Sequence, residues 1–296
     1  MCRIERAVWF LMLVLPGLGL KMNVLPPTIA VVTGSNKGIG KEVAIKLAST
    51  PNTICIVAAR DMNRGQQAAQ EVNIAGQTAG GGGAVFKQLD IADNTSVQRF
   101  MQEMQSEYGR LDVLVNNAAI AFKGADPTPF QYQAAPTLRT NFWATVQVTD
   151  ALLPLLRQSP AARIVNVASM SGHLRILSHE RQDIFSSSSL TRPVLYDLMR
   201  AFEADVQAGV HHQNGWPSTC YGMSKLGVIA FTKILAREEP GMVVNCCCPG
   251  GCRTDMSSGS GSKTAEEGAR TPYLLTQMPP GTKSGGFWSG EREIVW

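Results

Sequence analysis

Thr28-Ile-Ala-Val-Val-Thr33 runs directly into Gly34-Ser-Asn-Lys-Gly-Ile-Gly40, and the fold follows from reading these two segments together. The apolar run is the pattern of a strand buried on both faces of a parallel sheet. The glycine-rich turn then opens a helical pattern over Lys41 to Ser49. A second apolar run, Thr53-Ile-Cys-Ile-Val-Ala-Ala59, completes a βαβ unit of about thirty residues, the length at which a right-handed crossover fits. A glycine-rich turn between such a strand and helix offers backbone N–H groups to a pyrophosphate. Gly34, Asn36, Lys37, Gly38, Ile39 and Gly40 are therefore candidate cofactor-binding residues.

The alternation continues along the chain. The pattern predicts a helix near Gly65 to Ala75, a strand over Ala84 to Leu89, a helix over Thr95 to Tyr108 and a strand over Leu111 to Val115. A helix over Pro136 to Leu156, a strand over Arg163 to Val167, a helix over Thr219 to Arg237 and a strand over Met242 to Cys247 follow. Strands and helices in this order predict one α/β domain over residues 28–296, a Rossmann-like doubly wound parallel sheet. Gly80-Gly-Gly-Gly83 leads into a strand, which makes it a flexible surface connection and not a phosphate loop. Residues 177–217 interrupt the rhythm with a run of serines and an amphipathic stretch from Val194 to Val206, so they are read as a helical insertion. His211 and His212 within it have no acidic or cysteine partner at ligand spacing.

Composition narrows the function. The chain has 296 residues, 44% hydrophobic and 17% charged, with a formal charge of +4, which suits one α/β core. It lacks the basic runs interleaved with aromatics that a nucleic-acid surface would show. Four of the seven cysteines fall within Cys246-Cys-Cys-Pro-Gly-Gly-Cys252. Consecutive cysteines on a strand point to opposite faces, so neither a disulfide framework nor a metal site is expected, and the thiols read as small buried hydrophobes of a reducing compartment. Residues 1–27 stand apart. Arg3 and Arg6 precede Ala7-Val-Trp-Phe-Leu-Met-Leu-Val-Leu15, which has the basic and apolar parts of a signal peptide but falls short of the about 20 residues of a spanning helix. A signal, a surface anchor and an appendage without a part in the chemistry are the open readings. Membrane contact is expected only through residues 1–20, and a cytoplasmic location if that segment is neither signal nor anchor.

The chemistry centres on Tyr221-Gly-Met-Ser-Lys225. Residues four apart on a helix share a face, so the Lys225 ammonium can favour the Tyr221 phenolate. Ser169 lies just beyond the carboxyl end of the strand Arg163–Val167, where ligands bind in open α/β sheets. Ser171 is the rival hydroxyl. Cofactor choice follows from charge: an enzyme using NAD usually has an acid about 20 residues beyond the glycine motif, whereas NADP needs a cation for its extra phosphate. Arg60 stands at that place here, with Lys37 and Arg64 able to add to the phosphate site, while the following Asp61 is read as turned away or starting a helix.

Thr33-Gly34 with Gly38 and Gly40, Asn116-Asn-Ala-Ala119, Asn141, Ser169, Tyr221 with Lys225, and Pro249-Gly250 occur in the order found in short-chain dehydrogenases/reductases, which the chain resembles over residues 28–296. The insertion ending in Gly215-Trp-Pro217, together with Asp126-Pro-Thr-Pro-Phe130 and Arg253-Thr-Asp-Met256, is similar to the monomeric NADPH-dependent carbonyl reductases of that family. The resemblance implies reduction of a hydrophobic aldehyde, ketone or quinone by hydride transfer from NADPH, with Tyr221 as general acid. It further implies that Lys225 tunes Tyr221 and binds the nicotinamide ribose, that Ser169 orients the carbonyl, and that Asn141 holds a water relaying protons to Lys225. Asp90 and Ile91 would contact adenine, Asn117 and Ala118 would pass under its ribose, and Thr254, after Pro249 and Gly250, would hold the carboxamide end. Ala119 and Gly251 depart from the family pattern, Gly251 replacing a bulky aromatic of the substrate pocket. A membrane-associated retinoid or steroid dehydrogenase and a non-catalytic NADPH-binding module are the alternatives. A monomer is expected because the insertion would cover the face that relatives use to pair.

Overall fold

The computed structural model describes residues 26–296, so the apolar segment at 7–15 and the other readings of residues 1–25 lie outside the described residues. Eight strands form one sheet in the order β3-β2-β1-β4-β5-β6-β7-β8. The first seven are β1 (Thr28–Thr33), β2 (Thr53–Ala59), β3 (Ala84–Gln88), β4 (Val113–Asn116), β5 (Arg163–Val167), β6 (Val243–Cys248) and β7 (Phe287–Ser289), all parallel to their neighbours. β8 (Arg292–Ile294) closes the edge antiparallel to β7. Because the order reverses beside β1, the carboxyl ends of β1 and β4 diverge and leave a crevice, the usual ligand position of this architecture.

Helices cover both faces of the sheet. They are α1 (Gly38–Ala48), α2 (Met62–Thr78), α3 (Asn94–Glu107), α4 (Phe130–Leu138), α5 (Ala144–Leu156), α6 (His179–Ser186), α7 (Arg192–Gln207), α8 (Cys220–Glu238) and α9 (Ala265–Thr276). One hydrophobic cluster, containing Val31, Leu114, Ile164 and Phe231, lies on the α8 side. The other, containing Val32, Val115, Val165 and Leu47, lies on the α1 side. Successive residues of each strand alternate between the two clusters, which is why these strands read as continuous apolar runs.

The predicted elements appear with shifted ends, and three regions differ in kind. The helix expected from Pro136 to Leu156 starts earlier, at Phe130, and passes through a π-helical turn at Arg139–Trp143 before α5. Pro136 thus sits inside α4, where it cannot donate to the ladder, and the helix widens directly after it. Gly80–Gly83 is not a loose connection. A Cβ on Gly81 would come 2.0 Å from the Ala48 carbonyl oxygen, and one on Gly82 would come 2.2 Å from the Thr53 oxygen, whereas Gly80 meets nothing within 4 Å, so backbone packs on backbone at Gly81 and Gly82. The insertion holds two helices, α6 as well as α7. Of the apolar residues in its amphipathic stretch, Leu195, Met199, Phe202 and Val206 are buried, Leu198 is half-buried and Val194 faces solvent. Each such buried apolar side chain contributes roughly 1.5–3 kcal/mol. The stripe lies on α4 and α8, and a Cβ on Gly227 of α8 would strike the Met199 thioether at 2.8–2.9 Å. Arg192 ties α7 to α5 and α8 through Asp150 and Glu238.

Candidate active site

The crevice is a cleft of about 630 Å³ running past the carboxyl ends of β1 to β6. Its floor at β1 is set by close backbone contact. Gly34 has φ +64°, and a Cβ there would lie 2.9 Å from the Ala118 Cα; a Cβ on Gly40 would meet the Gly34 oxygen at 2.7 Å. The Thr33 hydroxyl accepts from the Asn117 and Ala118 N–H groups, both at 3.0 Å, and the Asn117 amide donates to the Thr33 oxygen at 2.9 Å. The side chain of Asn117 thus fastens the β1 turn to the β4 turn. Lys37, the residue before α1, supplies no side-chain cap. The first N–H groups of α1 are therefore free to take an anion, and the glycines leave a cradle that any Cβ would fill.

Beside this cradle the cleft is cationic. Arg60 lies at the end of β2 and lines the cleft, and its side chain has no ion-pair or hydrogen-bond partner among the described residues. Asp61 is spent on the helix, accepting from the Arg64 N–H at 2.9 Å as the N-cap of α2. Arg64 does not line the main cleft; it borders a smaller hollow that shares Asn36 and Lys37 with it. Lys37 is already paired, its ammonium 2.7 Å from the Asp255 carboxylate. Those donors fit an NADP-type cofactor: N–H groups for the pyrophosphate, then arginine where an acid would repel a further phosphate.

At the other end, α8 is capped by Thr219, which accepts from the Gly222 N–H at 3.0 Å. The helix places Tyr221 and Lys225 on the cleft wall, with the Lys225 ammonium 5.7 Å from the phenol ring centre. A buried amide network anchors the strands behind it. Asn116 donates to Thr149 at 2.9 Å and to Asn166 at 2.8 Å, and Asn166 donates to Thr232 of α8 at 2.9 Å. Lys225 itself donates to the Val167 oxygen at 2.7 Å. Burial pushes its pKa down to about 8, against a weaker upward pull from Cys247 and Cys248. Lowering of the phenol is expected from Lys225 together with the positive ring of the oxidised nicotinamide, and the protein's own groups act on balance in the other direction. Burial dominates at Tyr221 and raises it to about 12, with a hydrogen bond to Ser169 as the opposing influence.

Ser169 and Ser171 are now distinguishable. Ser169 caps a short 3-10 turn, Met170–Gly172, accepting from the Ser171 N–H at 3.1 Å, and its hydroxyl bonds Tyr221; Ser171 faces solvent. Two glycines allow the approach. A Cβ on Gly172 would be 2.5 Å from the Leu226 nitrogen, and one on Gly222 would be 2.7 Å from the Ser171 oxygen. Asn141 lies in the π turn, buried. Its amide donates to the Ile120 oxygen at 2.9 Å and the Ser224 hydroxyl at 3.1 Å, and its oxygen accepts from the Ile120 N–H at 2.8 Å.

Of the other expected residues, Asp90, Ile91, Asn117, Ala118, Pro249 and Thr254 line the cleft, whereas Ser169, Asn141 and Gly250 do not. Gly251 is exposed, and a Cβ there would meet nothing nearer than 4.0 Å. Residues without an assigned role also line the cleft, including Ile120, Arg139, Thr140 and Asp255. Asp255 was visible within Arg253-Thr-Asp-Met256, but its pairing with Lys37 across 218 positions leaves no local sequence signal.

A family model described as short chain dehydrogenase matches residues 28–180 and 205–265. The chain belongs to the short-chain dehydrogenase family. It is 42% identical over 278 residues to carbonyl reductase (NADPH) 1 of Homo sapiens, covering 90% of this chain and 98% of the relative. To carbonyl reductase (NADPH) 3 of Mus musculus it is 43% identical over 261 residues, covering 85% and 91%. Among solved structures, salutaridine reductase from Papaver somniferum superposes with a TM-score of 0.81 at 30% identity, covering 88% of this chain and 99% of that one. Menthone neomenthol reductase from Mentha piperita gives 0.75 at 31% identity, covering 88% and 98%. The unmatched residues 181–204 between the two parts of the family model fall within the insertion, as expected of a segment added to the shared sheet.

Proposed function

We propose that the protein is an NADPH-dependent carbonyl reductase that converts a hydrophobic aldehyde, ketone or quinone to its alcohol. One observation carries this reading: Tyr221 and Lys225 face the same cleft whose far end presents Arg60 with no carboxylate partner among the described residues. The relatives named carbonyl reductase (NADPH) support it.

NADPH, when bound, supplies the hydride that reaches the carbonyl carbon. The Gly34–Gly40 turn and the start of α1 would hold its pyrophosphate, and Arg60, with Lys37 and Arg64 at the margin, its 2′-phosphate. Asp90 and Ile91 would border the adenine, Asn117 and Ala118 the ribose, and Pro249, Gly250 and Thr254 the carboxamide end. Tyr221, kept protonated by burial, donates its proton to the carbonyl oxygen as negative charge grows there. The Ser169 hydroxyl orients that oxygen. The Lys225 ammonium, held by the Val167 carbonyl, stabilises the phenolate left behind. Asn141 has both amide hydrogens committed, so it serves by fixing Ile120 and Ser224 against α8, and a water relay through its side chain would have to use its remaining oxygen lone pair.

The same proposal includes a monomer, because α7 buries its apolar stripe on α4 and α8. It also includes a cytoplasmic location, since Cys55, Cys220, Cys246, Cys247, Cys248 and Cys252 are buried free thiols, which suits a reducing compartment. Among the described residues no helix is long and apolar enough to cross a membrane. The test is NADPH consumption by the purified protein over quinones, cyclic diketones, steroids and retinal. Turnover of quinones or diketones with NADPH is expected. Turnover confined to retinal or steroids would reassign the substrate, and none at all would leave a binding module.

A further inference from the structure

We infer that Trp296 is a positioning residue for the reduction, holding the turn that carries Ser169. This rests on the carbonyl-reductase reading of the cleft. Trp296 follows the edge strand β8, an unexpected place for a buried side chain. Val295 beside it is 85% exposed, yet Trp296 folds back into the core at 8% exposure. Its indole N–H donates to the Gly172 oxygen at 2.9 Å, across 124 positions of sequence. The ammonium of Lys233, from α8, lies 5.6 Å from the ring centre.

Gly172 is the pivot of the Ser169 turn. Its own N–H donates to the Ser169 oxygen at 2.9 Å. On one side it is pressed against the backbone of Lys225 and Leu226, with no room for a Cβ. On the other, its carbonyl is taken by the indole. The turn is therefore held between α8 and Trp296, and this clamp fixes the Ser169 hydroxyl relative to Tyr221. A carbonyl deprived of a buried donor turns toward another partner or stays unpaired at a cost. Turning moves Gly172 and, through its bond to the Ser169 backbone oxygen, the residue whose hydroxyl orients the substrate, while an unpaired carbonyl loosens the same turn.

A double-mutant cycle tests this. Trp296→Phe keeps an aromatic ring in place and removes only the N–H donor and the smaller ring of the indole. With Ser169 present, kcat should fall about tenfold, equivalent to roughly 1.4 kcal/mol, while KM for NADPH stays within about twofold. In a Ser169→Ala background, followed by single-turnover NADPH fluorescence, the same substitution should change the rate by less than about twofold. An equal fall in both backgrounds would reduce Trp296 to a general structural residue, and no fall with Ser169 present would remove it from the mechanism. Should melting show that the Phe variant is misfolded, Trp296→Leu is read in the same cycle by the same criteria. Absence of NADPH-dependent turnover in the unsubstituted protein would overturn the reductase reading together with this one, and is distinguished by being seen before any variant is made.

Discussion

Replacing Lys225 with Met removes a charge that the fold carries at a cost. Burial is the main cause of the fall from 10.5 to about 8 in its pKa. At about 1.4 kcal/mol per pH unit, that fall corresponds to roughly 3 kcal/mol of penalty on the folded, charged form. Below pH 8 the folded and unfolded chains both hold the proton, and the penalty is present in full. Between 8 and 10.5 the unfolded chain keeps its proton while the folded chain has released it, so stability gained from this group rises with pH. Above 10.5 neither form changes further. The Met variant lacks this rise. Urea unfolding of both proteins from pH 7 to 10.5 should therefore show the wild type gaining roughly 3 kcal/mol relative to Lys225→Met across that window. Loss of the Val167 contact offsets the curves equally at every pH and does not affect the slope. Parallel curves would refute the buried-charge argument. The same titration governs activity: kcat/KM for reduction, which reports free-enzyme groups, should fall as pH rises through about 8, while Tyr221 at about 12 stays protonated.

Three further outcomes follow from the cleft. Arg60→Asp should lower the NADPH-to-NADH ratio of kcat/KM by about 10- to 100-fold, the loss of a charge-assisted contact worth roughly 1.5–3 kcal/mol; an unchanged ratio would exclude Arg60 from the phosphate site. Asp255→Asn should release Lys37 from its 2.7 Å pair and tighten NADPH binding a few-fold, more at low salt than at high, whereas weaker binding would mean that the pair itself shapes the site. Light scattering on protein starting at Met22 should give a monomer at all concentrations, and a stable dimer would contradict the covering role of α7.

The parallel sheet was legible because its strands are buried on both faces and punctuated by Gly34, Gly38 and Gly40, so periodicity and turn chemistry agree. The short strands β7 and β8 were not foreseen: three residues each leave no periodic signal, and β7 is placed by pairing to β6 and β8 by pairing to β7. Tyr221, Lys225 and Ser169 could be found from spacing and order. The protonation of Tyr221 and Lys225 could not, because burial outweighs charge only once α8 is packed. The same holds for Asn141, whose partners Ile120 and Ser224 are close only in the fold, and for Trp296, whose contact with Gly172 no local pattern announces. Gly80–Gly83 does lead into β3 as read, but the packing of Gly81 on Ala48 and Gly82 on Thr53 was not visible, because a glycine run looks alike whether it is loose or packed.

The central claim is that Tyr221 protonates the substrate carbonyl while the rest of the cleft holds NADPH. Tyr221→Phe removes one hydroxyl and keeps the ring. Turnover of a quinone or diketone should fall by about 10²- to 10⁴-fold, the range for loss of a general acid, with NADPH affinity measured by fluorescence titration unchanged within about threefold. A variant that keeps most of its turnover, with NADPH still bound, would contradict the account.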